Sequence, residues 1–201
     1  MFIVFEGIDG SGKSTLSVRL TEYLNNSYRD EFNLLKIDPH LSDFMWTKEP
    51  LFTTEEADRL NSPEYKNQYK REALFFESRL NHQEAMVGKN VVCDRYIWSG
   101  LTYSTLFSPA CFAFATELYL DTSIFLQPDL YIFVDTPVEI CYARRDSEVP
   151  MERLNAIRNT YLATKGLLKS PVITVTNEDK EDVSFQKLVE SFDLFVKNHI
   201  D

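Results

Sequence analysis

Residues 2–15, Phe2-Ile3-Val4-Phe5-Glu6-Gly7-Ile8-Asp9-Gly10-Ser11-Gly12-Lys13-Ser14-Thr15, are the stretch around which the chain is organised. An apolar run breaks into a glycine-rich turn, and Gly7 is followed after four residues by Gly12, Lys13 and Ser14. That is the spacing of a loop built to hold a phosphate chain. Phosphates are gripped by backbone N–H groups, and a Cβ at the tight positions would hold the backbone off, hence Gly7, Gly10 and Gly12. Lys13 opens the next helix, where its ammonium and the positive helix terminus act on the same anion. Ser14 offers a hydroxyl to Mg²⁺. Leu16, Leu20, Tyr23 and Leu24 form the apolar stripe of that helix, so the strand, loop and helix required by the motif are all present. Gly7, Gly10, Gly12, Lys13 and Ser14 are therefore expected to hold the phosphates of a nucleotide.

Length and charge bound the rest. At 201 residues the chain is sized for one domain and one core, so 1–201 is taken as a single unit. A net charge of −10 without a long Lys/Arg run excludes a broad electrostatic footprint for nucleic acid or an acidic membrane. It does not exclude a nucleotide, because a metal and a few local cations set the field inside a site. Cys93, Cys111 and Cys141 have apolar neighbours and no metal-ligand spacing, so they read as reduced thiols in a cytoplasmic protein. No apolar run approaches the roughly 18 residues of a membrane span, and a core strand at residue 2 leaves no room for a removable signal.

Short apolar runs alternate with helical patterns throughout, which points to an α/β three-layer sandwich with a parallel sheet of about five strands. Strands are expected at 2–6, 44–47, 91–94, 130–135 and 172–175, with a weaker one at 33–37. Helices are expected at 13–26, 54–60, 66–87, 97–106, 110–120, 137–144, 151–167 and 183–198. No internal repeat or flexible linker divides the chain. In such sheets ligands sit at the carboxyl ends of the strands, and several strands here end in polar or charged residues.

Asn90-Val91-Val92-Cys93-Asp94-Arg95-Tyr96 is a second anchor, an apolar strand ending in an acid and a base. Asp94 suits Mg²⁺, directly or through water, and Arg95 suits a phosphate. Around it stand Thr47-Lys48-Glu49-Pro50, Phe75-Phe76-Glu77-Ser78-Arg79-Leu80-Asn81-His82, Ser99 with Tyr103, and Pro128-Asp129-Leu130 before Asp135. In this order, from Phe2 to about Leu168, the set resembles the thymidylate kinase family, P-loop enzymes that pass the γ-phosphate of ATP to dTMP.

The resemblance implies roles position by position: with Gly7, the residues Lys13, Ser14 and Thr15 would bind the phosphates and Mg²⁺ of ATP, and Gly10, Ser11 and Gly12 would donate backbone N–H groups. Asp9 would contact the sugar 3′-OH of the monophosphate, and Glu49 belongs to the Glu-Pro element. Phe75 would stack on the thymine ring, and Arg79, one helical turn on and therefore on the same face, would bind the base or the monophosphate. Phe75 and Phe76, being adjacent, cannot both face one pocket. Arg95 would clamp the acceptor phosphate, Ser99 would lie beside the base, and Tyr103 would close against the sugar 2′ position. Tyr161, with Arg158, matches a helix near the acceptor. His82 is read as structural, bonding within its helix. A homodimer is implied as well, with helix 110–120 either core or dimer face.

Residues 144–153 stand where the family has its lid over ATP. Family members whose phosphate loop lacks an arginine supply one from the lid, and this loop has none, so the resemblance implies Arg144, Arg145 and Arg153 as candidates to act on the transferring group, Arg145 and Arg153 being preferred. Phosphoryl transfer to a phosphate that is already ionised at pH 7 needs alignment and cations, and no general base. The catalytic set is thus Lys13, Arg95, Arg145 and Arg153, and the metal set Ser14 and Asp94. The chain departs from the family at Lys48, at Leu51-Phe52 in place of a glycine pair, and at Ser104 where Gln is common. Base selectivity therefore stays open between dTMP, dUMP and a modified pyrimidine. A deoxynucleoside kinase, which needs Glu49 or Asp94 as a base, and a nucleotide-hydrolysing switch are the alternatives.

Overall fold

The computed structural model describes residues 1–27, 43–145, 149–178 and 180–199. Its elements run β1 (Phe2–Glu6), α1 (Lys13–Ser27), β2 (Phe44–Lys48), α2 (Thr54–Asn61), α3 (Gln68–Glu84), β3 (Asn90–Asp94), α4 (Ile97–Phe107), α5 (Pro109–Tyr119), β4 (Leu130–Asp135), α6 (Val138–Arg144), α7 (Met151–Thr164), β5 (Val172–Thr176) and α8 (Glu181–His199). The five strands form one parallel sheet in the order β2-β3-β1-β4-β5. The weaker strand expected at 33–37 lies outside the described residues, as do residues 146–148 of the lid segment.

β1 is buried at every position because it lies in the middle of the sheet, between β3 and β4. A strand covered on both faces reads as an unbroken apolar run. Alternate residues feed two cores. On one face Ile3 and Phe5 join Val92, Ile132 and Val134 beneath the α1 stripe of Leu16, Leu20 and Leu24, with Leu188 and Phe192 of α8. On the other, Phe2 and Val4 join Cys93, Tyr131 and Phe133 beneath Trp98 and Leu101 of α4, Tyr119 of α5 and Ile157 and Tyr161 of α7. Emptying one such position, as in Leu20→Ala, costs about 2–5 kcal/mol. The register sets Phe5 beside both Asp94 and Ile132, so the turns after β1, β3 and β4 open on the same edge.

Two expected helices are shorter than their patterns. The segment at 66–87 begins as a 3₁₀ turn, Pro63–Lys66, and becomes α3 where Asn67 Oδ1 accepts the N–H groups of Tyr69 and Lys70. The segment at 151–167 ends as α7 at Thr164 and tightens into a 3₁₀ turn, Lys165–Leu167, around Gly166.

Candidate active site

The loop between β1 and α1 is pinned from outside. Ser11 O accepts hydrogen bonds from Thr136 Oγ1 at 2.9 Å and from Asn177 Nδ2 at 2.7 Å, and Arg144 Nη1 lies 3.3 Å from Gly10 O. Gly12 has φ +88°, and a Cβ there would lie 2.1 Å from Asn177 Nδ2, so only glycine lets the loop close on the end of β5. Thr136, Asn177 and Arg144 as loop supports were not drawn from the sequence, although each follows or ends an element on the ligand edge.

Lys13 is buried at the start of α1, its Nζ 3.7 Å from Asp9 Oδ1. Burial brings its ammonium down to about 8, with Arg95 acting in the same direction and Asp94, Asp9 and Glu6 opposing. Ser14 Oγ, in the first turn of α1, donates to Asp94 Oδ2 at the tip of β3, while Asp94 Oδ1 is buried without a hydrogen-bond partner among the described residues. A hydroxyl and an unsatisfied carboxylate oxygen side by side suit Mg²⁺, which takes one or two protein ligands and completes its shell with phosphate and water. Among the described residues no group of three or more His, Cys, Asp or Glu gathers into a metal site of its own.

Arg95 follows β3 with φ +73°, a left-handed backbone that costs a non-glycine residue of order 1–3 kcal/mol and is retained where the surroundings fix it. Its side chain is held at three points. Nη2 donates to Asp9 Oδ1 at 2.6 Å, and Nη1 donates to Ser99 Oγ at 3.1 Å and to Tyr161 OH at 3.0 Å. Burial raises the Asp9 carboxyl, but Arg95, Lys13 and Arg145 together outweigh it and leave its pKa lowered.

Behind these groups lies Glu6, a residue the sequence reading passed over as the end of a strand. It is 0% exposed, and its Oε1 accepts the N–H groups of Tyr96 at 2.9 Å and Ser99 at 3.0 Å, while Oε2 accepts Ser99 Oγ at 2.6 Å and Tyr161 OH at 3.0 Å. Tyr96 provides no side-chain cap to α4, so Glu6 takes that part from another element. Burial pushes its carboxyl up against Arg95 and these donors.

A cavity of about 440 Å³ opens beside Arg95, within the range of ligand pockets. Asp9, Phe75, Arg79, Arg95, Ser99, Tyr103 and Arg153 all line it. Phe75 meets Phe52 edge-on at 5.1 Å, whereas Phe76 turns into the core against Phe125. Two expected substrate contacts stand behind the wall instead. Tyr161 is fully buried and reaches Arg95, and Glu49 is buried against Arg79, 2.7 Å from its Nε in an ion pair whose alignment falls short of a hydrogen bond. His82 does not bond within its helix as expected: it joins Thr47 Oγ1 at 2.7 Å and Glu49 Oε1 at 3.2 Å, tying α3 to β2. Arg158 pairs with Asp135 through both nitrogens, at 2.6 and 2.8 Å. A second cavity, about 220 Å³, lies on the other flank of the phosphate loop, lined by Gly12, Thr15, Arg144, Asn177 and Glu181.

A model of the thymidylate kinase family matches residues 5–186. The chain belongs to the thymidylate kinase family. As in that family, it is a phosphotransferase that acts on a nucleoside monophosphate. A thymidylate kinase of Mycoplasmoides gallisepticum is 29% identical over 217 residues, covering 99% of this chain and 97% of the relative. A probable thymidylate kinase of Metallosphaera sedula is 32% identical over 171 residues, 80% of this chain and 77% of its own length. The crystal structure of a thymidylate kinase from Ehrlichia chaffeensis superposes with a TM-score of 0.61 at 22% identity, covering 96% of this chain and 98% of the other. A deoxyadenosine kinase from M. mycoides superposes at 0.68 with 14% identity, covering 96% and 100%. At those identities the likeness is one of fold, that of P-loop kinases. Among the described residues no helix is long and apolar enough to cross a membrane.

Proposed function

We propose that the chain transfers the γ-phosphate of ATP to dTMP, with ATP on the Gly12–Asn177 flank of the phosphate loop and dTMP in the cavity beside Arg95. One observation carries this reading: Lys13 of the phosphate loop and Arg95 of the cavity wall, cations suited to two different phosphates, converge on Asp9, which lines the larger cavity. Lys13 and the backbone of Gly10 to Ser14 hold the donor phosphates. Arg95, set by Ser99 and Tyr161, aligns the acceptor phosphate, which displaces the Asp9 carboxylate and frees it for a sugar hydroxyl. Phe75 stacks on the base and Tyr103 closes on the sugar. Ser14 and Asp94 hold Mg²⁺, which, when bound, neutralises phosphate charge during transfer. Arg145 lies against the loop near Gly10 and Arg153 lines the acceptor cavity, so both can offset charge on the transferring group.

No base is needed, because a monophosphate with a second pKa near 6 is ionised at pH 7. A nucleoside acceptor would need one. Of the two carboxylates nominated for it, Glu49 is buried against Arg79 and His82, and Asp94, whose Oδ2 meets Ser14, is given to Mg²⁺ on this reading. A cytoplasmic homodimer completes the proposal, and the exposed Phe114 on α5 favours pairing through that helix. The test is an acceptor screen with ATP and Mg²⁺: dTMP is expected to be consumed and thymidine not. Turnover of thymidine alone, or ATP hydrolysis indifferent to acceptor, overturns it.

A further inference from the structure

We propose that Glu72 reads the acceptor base, its free carboxylate oxygen accepting the ring N–H that lies between the two carbonyls of a 2,4-dioxopyrimidine. This rests on the reading of the larger cavity as the dTMP site, and it names a residue that neither the sequence motifs nor the resemblance singled out.

Glu72 lies on α3, three residues before Phe75 and seven before Arg79, so the three share a helix face, and all three line the cavity. It is only 8% exposed. Oε2 accepts Ser104 Oγ at 2.6 Å, and Oε1 has no partner among the described residues. Burial raises this carboxyl, and Ser104, Arg79 and Arg71 pull it back. Glu72 thus lines the cavity with one carboxylate oxygen unbonded among the described residues, although a glutamine would satisfy Ser104 equally well. The arrangement makes sense when a ligand brings a second donor.

Two positions of the facing helix α4, Gly100 and Ser104, are not available as the acceptor. Gly100 of α4 lines the cavity but has no room for a side chain, since a Cβ there would lie 2.5 Å from the Tyr119 ring. Ser104 is buried and committed to Glu72. Arg79 contributes the complementary donor: Nε lies against Glu49, Nη1 donates to Tyr119 OH at 2.8 Å, and Nη2 has no hydrogen bond among the described residues. The base therefore meets one donor and one acceptor side by side. Thymine or uracil offers a carbonyl to Arg79 and N–H to Glu72. Cytosine in the same pose turns the lone pair of its ring nitrogen on the carboxylate and is rejected. Selectivity among pyrimidines thus comes from α3, in a chain where position 104 carries Ser.

Calorimetric binding of dTMP, N3-methyl-dTMP and dCMP to the wild type, Glu72→Ala and Glu72→Gln decides the matter without requiring turnover. Loss of a charge-assisted hydrogen bond should weaken dTMP binding to Glu72→Ala by about 10- to 100-fold, with ATP affinity and unfolding midpoint as controls on folding. N3-methylation should cost the wild type at least as much and cost Glu72→Ala little, because both the partner and the obstruction are gone. Glu72→Gln, which retains the Ser104 bond and can also donate, should narrow the preference for dTMP over dCMP by about tenfold or more. Equal penalties for N3-methylation in the wild type and Glu72→Ala, or an unchanged dTMP to dCMP ratio in Glu72→Gln, overturn the assignment. Tight, Glu72-dependent dTMP binding without phosphorylation would instead retain it and overturn the proposed reaction.

Discussion

Lys13 and Arg95 face one carboxylate. Asp9 Oδ1 stands 2.6 Å from Arg95 Nη2 and 3.7 Å from Lys13 Nζ, so the cation at the donor loop and the cation at the acceptor strand are joined by a single side chain. On the proposed reading, Asp9 neutralises part of the charge that the two phosphates would meet.

Replacing Arg95 by lysine tests whether geometry or charge matters at that bridge. The guanidinium reaches Asp9, Ser99 and Tyr161 from two nitrogens, which an ammonium on a flexible stem cannot reproduce. Arg95→Lys should lower kcat/KM for dTMP by about 100-fold while ATP binding changes by less than about threefold. Steady-state kinetics with each substrate varied in turn provide the check, and a near-normal variant would mean that charge alone suffices.

Glu6 should behave as a support for Arg95. All four groups that meet its carboxylate donate, two to each oxygen, so a glutamine would turn its own N–H₂ toward two of them. Glu6→Gln is expected to lose about 2–4 kcal/mol of stability and to lower kcat/KM for dTMP more than for ATP. Urea unfolding and kinetics measure the two effects. An unchanged unfolding midpoint would show that the cap on α4 is dispensable.

The lowered pKa of Lys13 has a pH signature. Its folded value, about 8, lies below the ordinary 10.5, so the nucleotide-free protein sheds this proton first. Between those values the folded chain binds fewer protons than the unfolded one, and the penalty for burying the charge, complete below about 8, is relieved as pH rises. ATP needs the charged form. The kcat/KM for ATP should therefore fall as pH rises through about 8, while kcat holds to higher pH because bound phosphate restores the ammonium. Lys13→Ala should be folded and inactive at every pH, and wild-type turnover in it would remove the lysine from the mechanism.

Arg145 and Arg153, equivalent as charges in the lid, are separated by the fold. A Cβ on Gly10 would lie 3.1 Å from Arg145 Cγ, whereas Arg153 lines the acceptor cavity. Arg145→Ala should reduce kcat by about 10³-fold with KM for dTMP within a few-fold, as expected of a cation acting on the transferring phosphoryl. Arg153→Ala should raise KM for dTMP as well. Identical profiles for the two variants would contradict this division.

Glycine spacing, the apolar runs and the acid–base pair after residues 90–93 were enough to specify a parallel α/β sheet and to single out Lys13 and Arg95, which the fold brings to one carboxylate. Those signals are local: a run of four apolar residues or a glycine at a fixed offset limits the backbone wherever it occurs. Pairing between side chains is not local. Glu6 and Tyr161 are 155 residues apart and bond at 3.0 Å only because β1 and α7 pack on the same core, and Glu72 meets Ser104 only because α3 and α4 lie against each other. Burial turned both carboxylates from strand-end and helix-surface charges into acceptors that must be satisfied, and burial is a property of the packed chain, with no counterpart in residue order.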